Sequence, residues 1–292
     1  MAQLQLRLAR LMKKSTFLFS AALTILSVVG SAHARNITIY DGIAGNGTGG
    51  GFGAIGIGQG REDQETEPGT LGRQDWDLEA FTLNGTKLSI YSGFNLLAGN
   101  PTQNPKYSLG DIFIDIQGTA ATPLNTGVFG TTTDASFGYD YIIHFDVRGG
   151  TGTDIGTGAY TVYKVVTPAG TILNNSKFVG ISDPWTLDVA KSGGNITAVD
   201  SGKLAQDDLG LGDVTLDGGP TVVTGGRHYR GDVSLGFLTA GELSNGTTVF
   251  HLTQECGNDR LVGRVADGGS TLALLGSALT ALSFVMRRSR KA

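Results

Sequence analysis

The sequence predicts an all-β fold, a single β-sandwich, on three observations. Short runs of alternating apolar and polar residues recur between residues 35 and 264. Clusters of Gly, Asn, Asp and Thr separate these runs, as turns between strands require. Helical periodicity is almost absent from the same stretch. A jelly-roll-like strand order is the finer expectation. No exact internal repeat occurs, which argues against a solenoid.

Taken in order, residues 36–40 read as a first strand, with Ile37 and Ile39 on one face. Residues 42–60 hold ten glycines. They lack the Gly-Lys-Ser/Thr of a phosphate loop and no helix pattern follows, so they read as a flexible loop. Residues 61–69 are acidic. Residues 76–83 and 87–91 flank Asn84-Gly85, a hairpin signal. Residues 111–116 alternate, Ile112, Ile114 and Ile116 facing one way and Asp111, Phe113 and Asp115 the other. In residues 139–147, Tyr141, Ile143, Phe145 and Val147 share a face. Residues 158–166, 185–190, 233–238 and 247–253 complete the set of expected strands.

The two ends fall outside this pattern. Arg7, Arg10, Lys13 and Lys14 form a positive region, residues 17–30 are apolar, and Ala32-His33-Ala34 has the small-x-small form of a signal-peptidase site. Residues 1–34 are therefore expected to be a signal peptide and the mature chain to begin near Arg35; a retained anchor is the alternative. At the other end, residues 271–286 carry no charge. They would span about 24 Å as a helix, short of the roughly 30 Å hydrocarbon core. Arg287, Arg288, Arg290 and Lys291 follow, and such a basic end favours the cytoplasmic side.

The formal charge of −4 hides an asymmetry. The end segments hold eight basic residues and only Asp267 of the acidic ones, leaving 25 acidic against 14 basic residues between them, a net of −11. So acidic a domain will not seek nucleic acid. The lone Cys256 excludes an intramolecular disulfide. It reads as a buried small hydrophobe or as a free thiol open to intermolecular bonding.

Val265, Asp267, Gly269, Ser270 and Thr271, followed by an apolar run and a basic end, resemble the VPDSG-CTERM variant of the PEP-CTERM sorting signals of exported bacterial proteins. Ala266 stands where that family has Pro, and Gly268 where Ser is usual. The resemblance covers residues 265–292. It implies an exosortase-type membrane protease as partner, with transient inner-membrane anchoring and then transfer to the cell surface. Shorter stretches, Glu62 to Glu65, Trp76 to Glu79, Gly110 to Asp115 and Glu255 to Asp259, resemble segments of PEP-CTERM proteins of unassigned activity. The last of these implies that the final strand of the domain is residues 247–253.

Catalytic chemistry finds no constellation. There is no Gly-x-Ser-x-Gly, and His144, His228 and His251 fall in no zinc-binding spacing. The carboxylate pairs Asp111 with Asp115 and Asp77 with Glu79 have same-face spacing, as a glycosidase pair would need, but read as solvated strand faces. Calcium is the metal that acidic loops suit; Asp207, Asp208 and Asp213 form one candidate group, and Glu62, Asp63 and Glu65 another. The Asn-x-Ser/Thr steps read as turn and strand composition.

Two functions remain. One is a structural or interaction protein of the cell surface or extracellular matrix. The other is a carbohydrate-binding module, calcium-dependent in one form, which requires Trp76, Trp185, Tyr91 and Tyr163 to line an open face toward a polysaccharide.

Overall fold

In the computed structural model the described residues are 34–40, 74–99, 107, 109–119, 130–145, 156–175, 182–217, 219 and 221–265. They form an all-β structure. Its largest sheet runs in the order β11 (Ile196–Lys203), β8 (Ala159–Val165), β7 (Tyr141–Phe145), β5 (Ile112–Asp115), β16 (Val249–Thr253), β17 (Arg260–Arg264) and β2 (Thr38–Tyr40). A second sheet runs β1 (Arg35–Asn36), β3 (Leu78–Asn84), β4 (Lys87–Ser92), β15 (Arg227–Ser234) and β12 (Ala205–Leu211). Their pairings are antiparallel.

One apolar core joins the two sheets, giving a sandwich-like arrangement. Leu78, Phe81, Leu88, Ile90 and Val233 contribute from the smaller sheet, and Ile112, Ile114, Ile143, Phe145, Val162, Phe250 and Leu252 from the larger. Full burial of each such side chain stabilises by roughly 1.5–3 kcal/mol. The alternation read in residues 111–116 and in Tyr141, Ile143 and Phe145 places those side chains in this core.

The first expected strand is divided. β1 pairs with β3 and β2 with β17, so the chain crosses from one sheet to the other at Ile37. The Ile37 N–H donates to Phe81 O at 3.0 Å, and its carbonyl accepts from the Arg264 N–H at 2.7 Å. One residue thus bonds to both sheets, and its side chain lies in the core. Ile39, expected beside it, is 36% exposed, because the crossing breaks the two-residue period.

Both sheets are covered on their outer faces as well. β6 (Thr131–Thr133), β9 (Ile172–Asn174) and β10 (Thr186–Leu187) form a small sheet. With it, Phe137, Tyr139, Leu173 and Leu187 pack over Phe113 and Ile142 of the large sheet. The β13 (Val214–Thr215) and β14 (Val222–Val223) ribbon brings Leu216 and Val223 onto Ala80 and Tyr91.

Several strand boundaries differ from the sequence reading. Residues 185–190 are not one strand: β10 ends at Leu187, and Asp188 then caps the short helix α1 (Val189–Ser192), accepting from Lys191 N at 3.0 Å. The strand expected at 233–238 begins at Arg227 and stops at Ser234. The domain does not end with residues 247–253, because β17 follows and pairs with both β16 and β2. The hairpin turn is centred on Gly85 and Thr86, since Asn84 pairs with Lys87. Gly85 has φ 60°, the left-handed backbone suited to the first central position of a tight hairpin.

Candidate functional site

Of the residues expected to form a sorting motif, Val265 is described. It is fully buried, and its N–H donates to Thr248 O at 2.9 Å, so it belongs to the β domain. Asp267, Gly268, Gly269, Ser270, Thr271, Arg287, Arg288, Arg290 and Lys291 lie outside the described residues, as does Ala32. Ala34 is buried. Among the described residues no helix is long and apolar enough to cross a membrane.

The proposed calcium ligands do not form a loop cluster. Asp207 and Asp208 lie on β12, and only Asp213 lies beyond it. Asp207 pairs with Arg230 at 2.5 Å, and Asp208 pairs with Arg227. Arg230 also reaches Asp217 at 3.1 Å. Asp207 and Asp208 are drawn to different guanidinium groups, a geometry that competes with a shared cation. Among the described residues no three His, Cys, Asp or Glu side chains are grouped to hold a metal ion. Glu62, Asp63 and Glu65 lie outside them.

The four aromatic residues do not line one open face. Trp76 and Tyr91 are buried, Trp76 near Tyr107 and Tyr91 under the β13–β14 ribbon. Trp185 and Tyr163 are partly exposed.

The carboxylates read as solvated strand faces are instead interior: Asp77, Glu79, Asp111 and Asp115 are all buried. The covering layers are the reason. Glu79 is the extra residue of a bulge between Leu78 and Ala80, so it does not share a regular strand face with Asp77. The bulge brings Glu79 Oε1 to His228 Nδ1 at 2.5 Å, and Gln74 Nε2 donates to the same oxygen at 2.7 Å. Asp111 Oδ2 meets His144 Nδ1 at 2.8 Å. It also accepts from the Thr186 hydroxyl at 2.7 Å and the Leu187 N–H at 2.8 Å, while Oδ1 accepts from the Phe145 N–H at 3.2 Å.

The third histidine, His251, meets the Tyr139 hydroxyl through Nδ1 at 2.8 Å. Burial, with the Arg260 charge, pushes the imidazole down to about 3. Burial likewise raises the Tyr139 phenol. The Tyr139 N–H donates to Asp134 Oδ1 at 3.2 Å. Burial pushes that carboxyl up to about 7, and the Asp140 and Asp115 charges add to the rise. Arg260 lies over the Tyr40 ring, 4.1 Å from its centroid. A buried polar row therefore crosses the outer face of the large sheet.

Each of the three described histidines thus meets a buried oxygen from a distant part of the chain. The partners are 149, 33 and 112 residues apart. No local motif marks such pairs, so the sequence reading missed them, and it also missed Asp134, Tyr139 and Arg260. Asp111 with Thr186 and Leu187, and Tyr139 with His251, tie the large sheet to the layer that covers it, whereas Glu79 and His228 join two strands of the smaller sheet. Cys256 is buried, and burial pushes its thiol up to about 12, which keeps it protonated at neutral pH and unreactive.

Comparisons with protein-family models, with curated proteins and with solved structures find no match to this chain.

Proposed function

We propose that this chain is an exported structural or interaction protein, delivered to the cell surface or extracellular matrix, with its β-sandwich as the exported part. The observation that carries this reading is the order of segments in the sequence. A signal-peptide pattern ending at Ala34 precedes an acidic β domain, and the motif from Val265 with its apolar run and basic end follows it. Signal peptidase and an exosortase-type membrane protease are the partners this order implies. The acidic domain remains soluble by self-repulsion outside the cell. The buried carboxylate–histidine pairs add support, because they bind distant segments of the β domain to one another, a cohesive role.

Fractionation of full-length protein and a form lacking residues 265–292, in a host carrying the processing protease, tests the reading. The full-length chain should appear at the surface with reduced mass, and the truncated chain should be released. Identical distribution and mass would overturn it. The carbohydrate-binding alternative retains Trp185 and Tyr163 as partly exposed rings; a glycan array with and without calcium separates it from the structural role.

A further inference from the structure

Asn-Gly steps occur at Asn46, Asn84 and Asn245. Asn84 and Asn245 are described, both are exposed, and both precede a glycine of positive φ, 60° at Gly85 and 75° at Gly246. They differ in what holds the carboxamide. Asn245 Oδ1 accepts from the N–H of Thr247 at 2.9 Å, the N–H of Thr248 at 3.1 Å and the Thr248 hydroxyl at 3.3 Å. Its Nδ2 donates to Ile116 O at 3.3 Å. The Asn84 carboxamide makes no hydrogen bond among the described residues. A Cβ added at Gly85 would meet nothing within 4 Å.

We propose that Asn84 is a site of covalent self-modification, deamidating through a succinimide at the tip of the β3–β4 hairpin, while Asn245 is protected by its hydrogen bonds. The Gly85 amide nitrogen gives up its proton and attacks Asn84 Cγ. The new N–Cγ bond forms as the Cγ–Nδ2 bond breaks, and Nδ2 leaves as ammonia after taking up a proton. Water then opens the ring at either carbonyl, producing aspartate or isoaspartate and one new negative charge. No oxidant or cofactor is needed. Glycine favours the attack because it has no side chain to shield the nitrogen.

The position gives the reaction a structural consequence. Asn84 is the cross-strand partner of Lys87, whose ammonium already pairs with Asp232 at 3.0 Å. The turn is anchored beyond the reacting residue, where Thr86 O accepts from the Leu235 N–H at 2.7 Å. Isoaspartate would insert one extra backbone carbon between two neighbouring strands whose ends are thus fixed.

The test is peptide mapping by mass spectrometry of the full chain after incubation in mildly alkaline buffer, folded and in urea, with isoaspartate identified by carboxyl methylation. In the folded chain Asn84 should gain one mass unit about tenfold faster than Asn245, whose hydrogen bonds must open first. In urea the two rates should agree within about twofold, since that protection is gone. Asn84→Gln should abolish the modified hairpin peptide. Equal rates in the folded chain would overturn the proposal. So would an Asn84 that reacts in urea but not when folded, because the hairpin itself would then hold the Gly85 nitrogen away from Cγ.

Discussion

The Asp111 carboxylate accepts a 2.7 Å hydrogen bond from the Thr186 hydroxyl, which ties the large sheet to the small sheet that covers it. The same oxygen holds the Leu187 N–H and the His144 ring, so one fully buried side chain orders three segments. Asp111→Ala would strand these groups without a partner. It should cost about 3–5 kcal/mol, since each buried donor left unsatisfied costs about 1–3 kcal/mol. Thr186→Val removes one hydroxyl and should cost about 1–2 kcal/mol. Urea unfolding of both variants checks the ranking; a larger loss for Thr186→Val would show that Asp111 is not the hub.

Gly110 sets up that hub. Its N–H donates to Thr253 O at 2.8 Å, and a Cβ at this position would collide with the carbonyl oxygens of Thr253 and Trp185. Both obstacles are backbone and cannot swing aside. Gly110→Ala should therefore destabilise by about 1–3 kcal/mol, as overpacking does, and lower the thermal midpoint accordingly. An unchanged midpoint would mean that the strand end shifts freely.

What was legible in the sequence had a local cause. The β3–β4 hairpin is announced by Asn84-Gly85, and the inward face of β5 by Ile112 and Ile114. Its outward face was not legible. Asp111, Phe113 and Asp115 look like the polar side of a half-buried strand, and only segments far along the chain reveal the layer above them. β11 and β12 escaped notice for the opposite reason: the first is exposed along nearly its whole length and the second has no buried residue, so they carry little apolar alternation. Glu79 could not be paired with His228 because the pairing depends on a bulge. The expected calcium group failed as a loop cluster because its first two members occupy a strand bearing two arginine partners.

Asp134 and His251 make opposite contributions to pH dependence. With the carboxyl at about 7 when folded and 3.8 otherwise, the folded chain holds an extra proton between about pH 4 and 7. Stability from this group is therefore present at low pH and falls as pH rises through that window. With His251 at about 3 against 6.5, the unfolded chain holds the extra proton between about pH 3 and 6.5, so stability falls as pH is lowered. Between about pH 4 and 6.5 the two nearly cancel. Asp134→Asn should be more stable than the parent at neutral pH, by on the order of a few kcal/mol. That advantage should vanish near pH 4, exposing the acid sensitivity of His251. His251→Gln should show the mirror image, gaining stability relative to the parent as pH falls. Urea unfolding across pH decides; identical slopes in the parent and both variants would remove the argument.

The large sheet ends at β11 and the smaller one at β12 among the described residues. β11 and β12 follow each other through Leu204 yet border different sheets. Each carries a bulge, between Ala198 and Asp200 in one and between Asp208 and Gly210 in the other. Asp200, Lys203, Asp207 and Asp208 place charges along them. Bulges and charges keep an exposed edge from pairing with another chain, because they twist the strand and make a dry contact costly. Val199, the extra residue of the first bulge, is 45% exposed. Deleting it should flatten β11 into a continuous ladder with β8, and adding Asp200→Thr should remove the nearest charge. The combined variant should self-associate more strongly with rising concentration than the parent, seen as heavier species in sedimentation velocity. β11 remains the end strand of its sheet in both proteins, so a difference would come from the bulge and the charge. If the variant sediments as the parent does at every concentration, these two features are not what restrains the edge.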